Sequence, residues 1–238
     1  MKWVFLFFCA QVWGLSTTVI IPCVASHFYY LESLLQKYAE QTKLPDEVVI
    51  ALSGVECLEA GAIVALENGP WPFALKILQY IGRQSAGVNR NLACEQASGE
   101  LFLCQDADDL PHPQRVEVVK HLFLRHHLQH LIHGWLSEGD PLPVFQVDLL
   151  PLNKFHSFDD ITRFYSLETA RARFRPHYGN ICLLAEVAKR VKWEDSLEFD
   201  RDVAFNQKVY ASVFKHLGVT PLPLVVYRQY LSAYTGNP

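Results

Sequence analysis

A short apolar run that ends in a cluster of carboxylates is the feature that most limits how this chain folds. Residues 101–105 read Leu-Phe-Leu-Cys-Gln, and Asp106, Asp108 and Asp109 follow directly. Such a run, bounded by turn-forming residues, is typical of a strand buried inside a sheet. Because neighbouring carboxylates repel one another and hard oxygen ligands suit Mg²⁺ or Mn²⁺, the end of this strand is a candidate metal site. The alternative is an acidic turn that caps the helix starting near Gln114.

Composition limits the partners that the chain can have. Its 238 residues, 50% of them hydrophobic, are enough for one large domain or two small ones with a sizeable core. A net charge of −4 without a long basic run argues against nucleic acid. The sequence contains no linker-like stretch that would separate two independently folding domains.

The first sixteen residues have the pattern of a secretory signal peptide. Met1 and Lys2 give a basic start, an apolar stretch follows, and Gly14-Leu15-Ser16 is a small-x-small ending. The apolar stretch is too short to span a bilayer comfortably. The alternative is an extra buried strand at the edge of the fold. A cleaved leader would place the protein in the lumen of the endoplasmic reticulum or Golgi; an uncleaved one leaves it in the cytoplasm.

The cysteines do not form a disulfide or zinc pattern. Without Cys9 an odd number remains, at positions 23, 57, 94, 104 and 182, and no Cys-x-x-Cys pair occurs. Most of them are therefore interpreted as buried thiols.

Strands and helices alternate along the chain. Strands are predicted over residues 18–21, where Pro22 ends the strand, and over 47–52, 75–78 and 101–105; helices are predicted over 27–41, 57–66 and 88–97. After Pro113 the pattern predicts helices over residues 114–131, 167–175, 181–191 and 200–214, a strand over 131–135 and a loop over 138–157.

This alternation predicts an α/β fold with a mainly parallel sheet covered by helices on both faces. Ligands of such sheets bind outside the carboxyl ends of the strands. Three segments fall at that edge and are expected to converge on one ligand: Pro22-Cys23, Ser53-Gly54 and Asp106–Asp109.

One block of sequence is more specific. Residues 83–93 read Arg-Gln-Ser-Ala-Gly-Val-Asn-Arg-Asn-Leu-Ala, residues 97–100 read Ala-Ser-Gly-Glu, and Asp106-Ala107-Asp108 is an Asp-x-Asp motif. The block resembles the family-2 glycosyltransferases of the GT-A fold, and weaker matches extend the resemblance over nearly everything after Thr17. It implies a single GT-A domain over residues 17–238, with a nucleotide-sugar-binding half at 17–110 and an acceptor-binding half at 111–238.

The resemblance also implies an activity and a set of site residues. The activity is that of an inverting, metal-dependent glycosyltransferase of hexosyltransferase type, which moves a sugar from a nucleotide-diphospho-sugar (UDP-sugar by default) to a hydroxyl of a glycan, lipid or protein. Mn²⁺ or Mg²⁺ would be held by Asp108 and Asp106, with Asp106 addressing the ribose or the water shell of the metal, and Asp109 would be an outer neighbour or a helix cap. Asp202 would be the general base. The implied donor-binding residues are Pro22, Cys23, Ser53, Glu56, Arg83, Arg90, Asp106 and Ala107, and the implied acceptor-binding residues are Gly179, Asn180, Trp193 and Glu194.

Several of these residues have a structural alternative. Arg90 could be a surface arginine beside Glu95, Trp193 could belong to the core, and Asp202 could be a solvated carboxylate at a helix start. Gly179-Asn180 could be only a turn, and Tyr227-Arg228 resembles a frequent family ending for which we favour a structural role.

Two departures from the family pattern leave other functions open. Ser53-Gly54 stands where members carry an acidic residue that holds the nucleobase, and Glu56 is the nearest carboxylate. Arg201 replaces the Glu of the family's Glu-Asp pair. The alternatives are a non-catalytic sugar-nucleotide or glycan-binding protein on the same fold, and a nucleotidyltransferase.

Overall fold

The computed structural model describes residues 14–155, 159–160, 163–164, 177–194, 201–213 and 216–228. Within these ranges no helix is both long and apolar enough to cross a membrane. Residues 1–13 of the predicted leader and the predicted helix at 167–175 lie outside them. Ser16, the last residue of the predicted leader, donates its backbone N–H and its hydroxyl to Oε2 of Glu100.

The first half of the chain forms a block of parallel strands. These are β1 (Thr17–Val24), β2 (Glu47–Ser53), β3 (Ala74–Tyr80) and β4 (Leu101–Cys104), in the order β3-β2-β1-β4. A 3-10 turn at Ala25–Tyr30 leads into α1 (Leu31–Ala39), a second at Val55–Cys57 precedes α2 (Ala62–Glu67), and α3 (Ala86–Gln96) precedes β4. The predicted helix over 27–41 therefore begins as a 3-10 turn. The helix predicted over 57–66 is α-helical only from Ala62, because residues 58–61 lie outside any helix.

The second half continues the same sheet. Its strands are β5 (Leu110–Pro111), β6 (His130–Ser137), β7 (Asn153–Phe155), β8 (Ile181–Leu184) and β9 (Leu217–Tyr227). Its helices are α4 (Arg115–His126), α5 (Ala185–Arg190) and α6 (Arg201–Ser212), with 3-10 turns at Val147–Leu149 and Tyr178–Asn180. The sheet runs on from β4 in the order β8-β6-β9-β5, and β7 pairs with β9. Because β6 and β9 run with the first four strands and only β5, β7 and β8 run against them, the sheet is mostly parallel.

Pro22 does not end the first strand, contrary to prediction. The carbonyl of Ile20 accepts the backbone N–H of Gln105 at 3.0 Å. The backbone N–H and C=O groups of the even-numbered residues in β1 therefore point toward β4. Pairing with β4 stops at Ile20, whereas pairing with β2 continues to Val24. The missing N–H of Pro22 thus faces the side where β4 has already ended, and no sheet hydrogen bond is lost.

Two other predictions in the second half were wrong. The helix predicted over 181–191 begins only at Ala185, because the preceding apolar residues form β8 between β4 and β6. The helix predicted over 114–131 ends at His126, where His127 takes a left-handed φ of 52°. Strand β9 was not predicted; it contains Pro221 and Pro223, and the pairing of β6 with β9 shifts register at Gly134.

Side chains alternate between two hydrophobic clusters, one on each face of the sheet. Val19 and Ile21 belong to the first cluster and Ile20 to the second. Helices α1, α2 and α4 contribute to the first, and α3, α5 and α6 to the second. Helices therefore cover both faces, as predicted, and the carboxyl ends of β1, β2 and β4 meet at one edge.

Candidate functional site

The acidic residues after β4 form a compact cluster with a histidine from a distant part of the chain. One ligand atom each of Asp106, Asp109 and His177 lies within 4.8 Å of the others. Oδ1 of Asp109 accepts the backbone N–H of Arg228 at 3.1 Å. Its Oδ2 is buried, and no hydrogen-bond partner reaches it among the described residues. An unpartnered buried carboxylate oxygen beside a second carboxylate fits a divalent cation.

Burial raises the pKa values of both carboxyls in this cluster. For Asp106 burial is the largest cause and raises the pKa to about 7, with Asp108 and Asp202 adding to the rise and Arg90 opposing it. For Asp109 burial and then the charge of Asp106 raise the pKa to about 8. Without a cation, these acids therefore hold protons near neutral pH, and a bound divalent ion would favour their ionised forms.

Asp108, the predicted metal ligand, is not one of the three clustered residues. Its backbone carbonyl accepts Nε of Arg228 at 2.5 Å, and its charge contributes to the raised pKa values of Asp106 and Asp109. Asp108 as a ligand stays a prediction, and the geometry adds Asp109, which we expected to be an outer neighbour. Ala107, between them, is 3% exposed and packs in the first hydrophobic cluster.

Arg90 links this acidic cluster to Asp202. Its Nη1 lies 2.6 Å from Oδ1 of Asp202, and its Nη2 lies 3.8 Å from Oδ1 of Asp106. The guanidinium carbon lies 4.1 Å from the centre of the Tyr178 ring, and the backbone N–H of Tyr178 donates to Oδ2 of Asp202 at 3.1 Å. Arg90 is thus not a surface arginine beside Glu95, which instead pairs with Lys192.

A turn from the second half of the chain closes over Asp106. The backbone N–H of Gly179 donates to Oδ2 of Asp106 at 3.1 Å, and a Cβ on Gly179 would lie 3.2 Å from that oxygen. Asn180 is fully buried, and its Oδ1 accepts the backbone N–H of His177 at 3.0 Å. Gly179 therefore contacts the site directly, whereas the buried Asn180 stabilises the turn that carries Gly179.

His177 was not singled out from the sequence. Its ring accepts the backbone N–H of Asn180 in a capping box, and burial lowers the pKa of the imidazole to about 4. The ring is therefore neutral at pH 7, and one nitrogen carries a proton while the other accepts. A lone histidine three residues before an asparagine was the only local signal for it.

A cavity of about 380 Å³ opens at the carboxyl ends of β1 and β2, and none of the three clustered residues lines it. The predicted donor-binding residues Ser53, Glu56 and Arg83 line it, together with Tyr29, which is 71% exposed. The hydroxyl of Ser53 accepts the backbone N–H of Gln84 and the side-chain amide of Asn89 (3.1 and 3.0 Å). Ser53 therefore links the end of β2 to α3 by hydrogen bonds, and its side chain is buried at the wall of the cavity.

Pro22 and Cys23, two predicted donor-binding residues, precede the cavity residue Val24 in β1 and do not line the cavity. Both are buried, the carbonyl of Cys23 accepts the amide of Asn89 at 3.0 Å, and burial raises the pKa of the Cys23 thiol to about 12. The thiol is thus an inert core group. Glu56 differs, because its exposed carboxylate touches only the backbone N–H of Gly82 among the described contacts.

Two predicted acceptor-binding residues, Trp193 and Glu194, do not belong to the acidic cluster. Trp193 is 3% exposed and stacks on Phe205 with ring centres 3.6 Å apart, which is the packing of a core residue. Glu194 is on the surface and pairs with Lys208. Asp195 and the side chain of Arg201 lie outside the described part of the chain.

Arg115 is a buried residue of the site that the sequence did not indicate. It is fully buried and donates to the carbonyls of Cys104 (2.6 Å) and Gly179 (2.8 Å). These bonds join the end of β4 to the Gly179 turn, so Arg115 fixes the spacing between them.

Comparison with known proteins identifies the family. A family model described as glycosyl transferase family 2 matches residues 18–166, which is more than half of the chain. The chain belongs to glycosyl transferase family 2. The matched segment of this family-2 chain contains the cavity residues and the carboxylates after β4, but neither His177 nor Asp202. No curated protein matches the chain.

Solved structures show the fold of this family-2 chain. Residues 1–349 of TarS from S. aureus superpose with a TM-score of 0.69 at 19% identity, covering 90% of this chain and 60% of that one. TarS in complex with UDP-GlcNAc gives 0.68 at 20% identity, covering 93% and 62%. The mannosyltransferase PcManGT from Pyrobaculum calidifontis, in complex with GDP-Man and Mn²⁺, gives 0.57 at 19% identity, covering 89% and 58%. The fold is the GT-A type of glycosyltransferases, and the chain spans about 60% of the TarS fragment.

Proposed function

We propose that this protein is a metal-dependent glycosyltransferase that moves a sugar from a nucleotide-diphospho-sugar to an acceptor hydroxyl with inversion. The observation that carries the proposal is the grouping of three parts at one sheet edge. The cavity lined by Tyr29 and Glu56 lies at the carboxyl ends of β1 and β2, and the cluster of Asp106 and Asp109 follows β4. Arg90 then connects Asp106 to Asp202. Membership of family 2 supports the reaction class; inversion rests on the family resemblance.

The cavity is suited to the nucleoside of the donor. Tyr29 offers an exposed aromatic face on which a base can stack, and Glu56 offers a carboxylate that can accept an N–H of a base. Related folds have been crystallised with UDP, UDP-GlcNAc and GDP-Man, which supports a nucleotide-sugar donor. We take a UDP-sugar as the first donor to test. Because Ser53 is already committed to Gln84 and Asn89, we assign base recognition to Glu56.

Asp106 and Asp109 would hold Mn²⁺ or Mg²⁺, with Asp108 as a further carboxylate. When bound, the ion supplies positive charge that stabilises the departing diphosphate. The residues of the chain prepare this place in two ways. The unpartnered Oδ2 of Asp109 is buried from solvent, and the backbone N–H of Gly179 fixes the orientation of the Asp106 carboxylate by a hydrogen bond.

Asp202 is the proposed general base. It lies in the first turn of α6 with about a fifth of its side chain accessible, 22%, so an acceptor hydroxyl can reach it. Proton transfer requires hydrogen-bond contact between the acceptor hydroxyl and a carboxylate oxygen. Asp202 would take that proton as the acceptor oxygen attacks the anomeric carbon.

A turnover assay tests this function. The full chain is incubated with UDP- and GDP-sugars and Mn²⁺, and release of the nucleotide diphosphate is measured with and without EDTA, using water or candidate acceptors. We expect release that needs Mn²⁺ and falls by about 100-fold or more in Asp202→Asn, the usual size of a general-base effect. Asp148→Asn, at an exposed residue remote from the site, is the matched control.

The same assay separates the alternatives. Donor binding without turnover under any condition would identify a non-catalytic binding protein. Pyrophosphate release from a nucleoside triphosphate would identify a nucleotidyltransferase. Either result overturns the proposal.

We propose the lumen of the secretory pathway as the location. The basic and apolar pattern of residues 1–16 supports this. N-terminal sequencing of the protein purified from cells tests it; an intact Met1-Lys2 start in the mature protein would contradict it.

A further inference from the structure

Arg90 lies between two carboxylates of the site and is almost entirely buried. Its residue is 7% exposed, and its guanidinium is covered by the face of Tyr178 at 4.1 Å, with the ring of Trp193 at 5.9 Å. Both terminal nitrogens point to carboxylates: Nη1 to Asp202 at 2.6 Å and Nη2 to Asp106 at 3.8 Å. The third nitrogen, Nε, is buried and has no hydrogen-bond partner among the described residues.

This placement is unfavourable for binding phosphate. An arginine that holds a phosphate presents two N–H groups side by side to the anion. Here Nη1 is already engaged by Asp202 at 2.6 Å, and the aromatic rings cover the guanidinium plane. A diphosphate could take Nη1 only if its pair with Asp202 broke, which would leave a partly buried carboxylate without its partner. The other edge of the guanidinium, Nε with Nη2, is closed to a diphosphate because Nε is buried inside the protein.

The same contacts fix Asp202 on both of its oxygens. Oδ1 accepts Nη1 of Arg90, and Oδ2 accepts the backbone N–H of Tyr178 at 3.1 Å. Tyr178 is itself anchored, because its hydroxyl donates to the carbonyl of Ile20 in β1 at 3.1 Å. The position of the Asp202 carboxylate is therefore fixed by contacts to α3, through Arg90, and to β1, through Tyr178, as well as by α6 itself.

We propose that Arg90 is a positioning residue that holds the carboxylate of Asp202 for proton transfer, and that it is not a ligand of the donor phosphates. The inference rests on the proposed function. It replaces the donor-binding role that the family resemblance implied for Arg90. The guanidinium also lies between the proposed cation ligand Asp106 and the proposed base Asp202. One buried positive charge therefore sets the distance between these two carboxylates.

Two variants test this role. Arg90→Gln removes the charge, and Arg90→Lys keeps a charge but cannot reach both carboxylates with a planar fork. Turnover at saturating donor is measured as kcat, and the Kd of UDP with Mn²⁺ is measured by calorimetry. Arg125→Lys, on the exposed end of α4, is the matched control.

We expect the Kd of the nucleotide to stay within about threefold of the unmutated protein in both variants. We expect kcat to fall by about 100-fold in Arg90→Gln, since a misplacement of about 1 Å can lower a rate by that factor. In Arg90→Lys we expect a fall of about 10-fold, because the cation is kept but the fork is lost. If Arg90→Gln does not fold, the kcat and the Kd of UDP measured for Arg90→Lys alone test the proposed positioning role.

A tenfold or larger rise in the Kd of UDP with an unchanged kcat would overturn the inference, because it would mark Arg90 as a phosphate ligand. A normal kcat in Arg90→Lys would overturn it as well. Failure of the proposed function would be recognised separately, since the unmutated protein would then show no turnover with any nucleotide-sugar.

Discussion

The backbone N–H of Gly179 donates to Oδ2 of Asp106 across 3.1 Å, although the two residues lie 73 positions apart in the sequence. This contact brings the second half of the chain onto the carboxylate that ends β4. Arg115 supports the contact from beneath, because it donates to the carbonyl of the same glycine. The geometry of the acidic cluster is therefore a property of the folded domain and not of the Asp-x-Asp motif alone.

Replacing Gly179 by alanine tests this contact. The new Cβ would lie 3.2 Å from Oδ2 of Asp106, so this carboxylate must shift by a few tenths of an ångström, while the ring of His177 at 3.4 Å stays in ordinary contact. We expect a loss of about 1–3 kcal/mol in the free energy of unfolding, as for other overpacked buried sites, and weaker Mn²⁺ binding. Urea denaturation and Mn²⁺ titration measure the two effects.

Gly14→Ala is the control for that variant, because the nearest atom to its Cβ would be a lysine carbon at 4.0 Å. Unchanged stability and Mn²⁺ affinity in Gly179→Ala would contradict the tight approach of the turn to Asp106.

Asp109→Asn tests the pH dependence of the cluster. The pKa of Asp109 rises from 3.8 to about 8 in the folded protein, chiefly because the carboxyl is buried. The folded state thus retains a proton that the unfolded chain releases, so this stabilisation is complete below pH 3.8 and is lost as pH rises through 8. We expect the asparagine variant to lose less stability between pH 5 and pH 8 in EDTA, by on the order of a few kcal/mol.

The comparison must be made against the unmutated protein at each pH. His130 and His177 act in the opposite direction, because burial lowers both pKa values to about 4, and the unfolded chain takes up protons as pH falls below 6.5. Asp140→Asn, at an exposed turn residue, is the control. Parallel stability curves for the unmutated and Asp109→Asn proteins would contradict the buried proton on Asp109.

Tyr29→Ala tests the assignment of the cavity to the nucleobase. Loss of the aromatic face should weaken UDP binding by about 5- to 150-fold, which corresponds to the 1–3 kcal/mol of a stacked base. Calorimetry with UDP and Mn²⁺ measures it. Val144→Ala, at an 89% exposed residue that does not line the cavity, is the control. Equal affinities in Tyr29→Ala and the unmutated protein would place the base elsewhere.

The parallel core of the fold was predictable because its signals are local. The apolar runs of β1, β2 and β4 are each flanked by turn residues, and α3 has a serine cap at Ser85 whose hydroxyl accepts the N–H of Val88. The same logic failed at β8. Its four apolar residues run directly into a helix, and only the flanking strands β4 and β6, distant in sequence, define it as a strand.

The candidate site was predictable only in part, for the same reason. Asp106 is marked by its motif, and the family resemblance implied the cavity residues Glu56 and Arg83. The partner of Arg90 lies 112 residues away, so no local pattern distinguishes a phosphate ligand from a positioning residue. His177 lies in no periodic segment, and its place beside Asp106 follows from the path of the chain into β8.

Our proposal requires that a divalent ion held by the carboxylates after β4 binds the diphosphate of a nucleotide-sugar. Calorimetric titration of the full chain with UDP- and GDP-sugars, with Mn²⁺ and then with EDTA, measures this binding. We expect binding that requires Mn²⁺ and is lost in Asp106→Asn. Donor binding of equal strength in EDTA, or no donor binding with either Mn²⁺ or Mg²⁺, would contradict it.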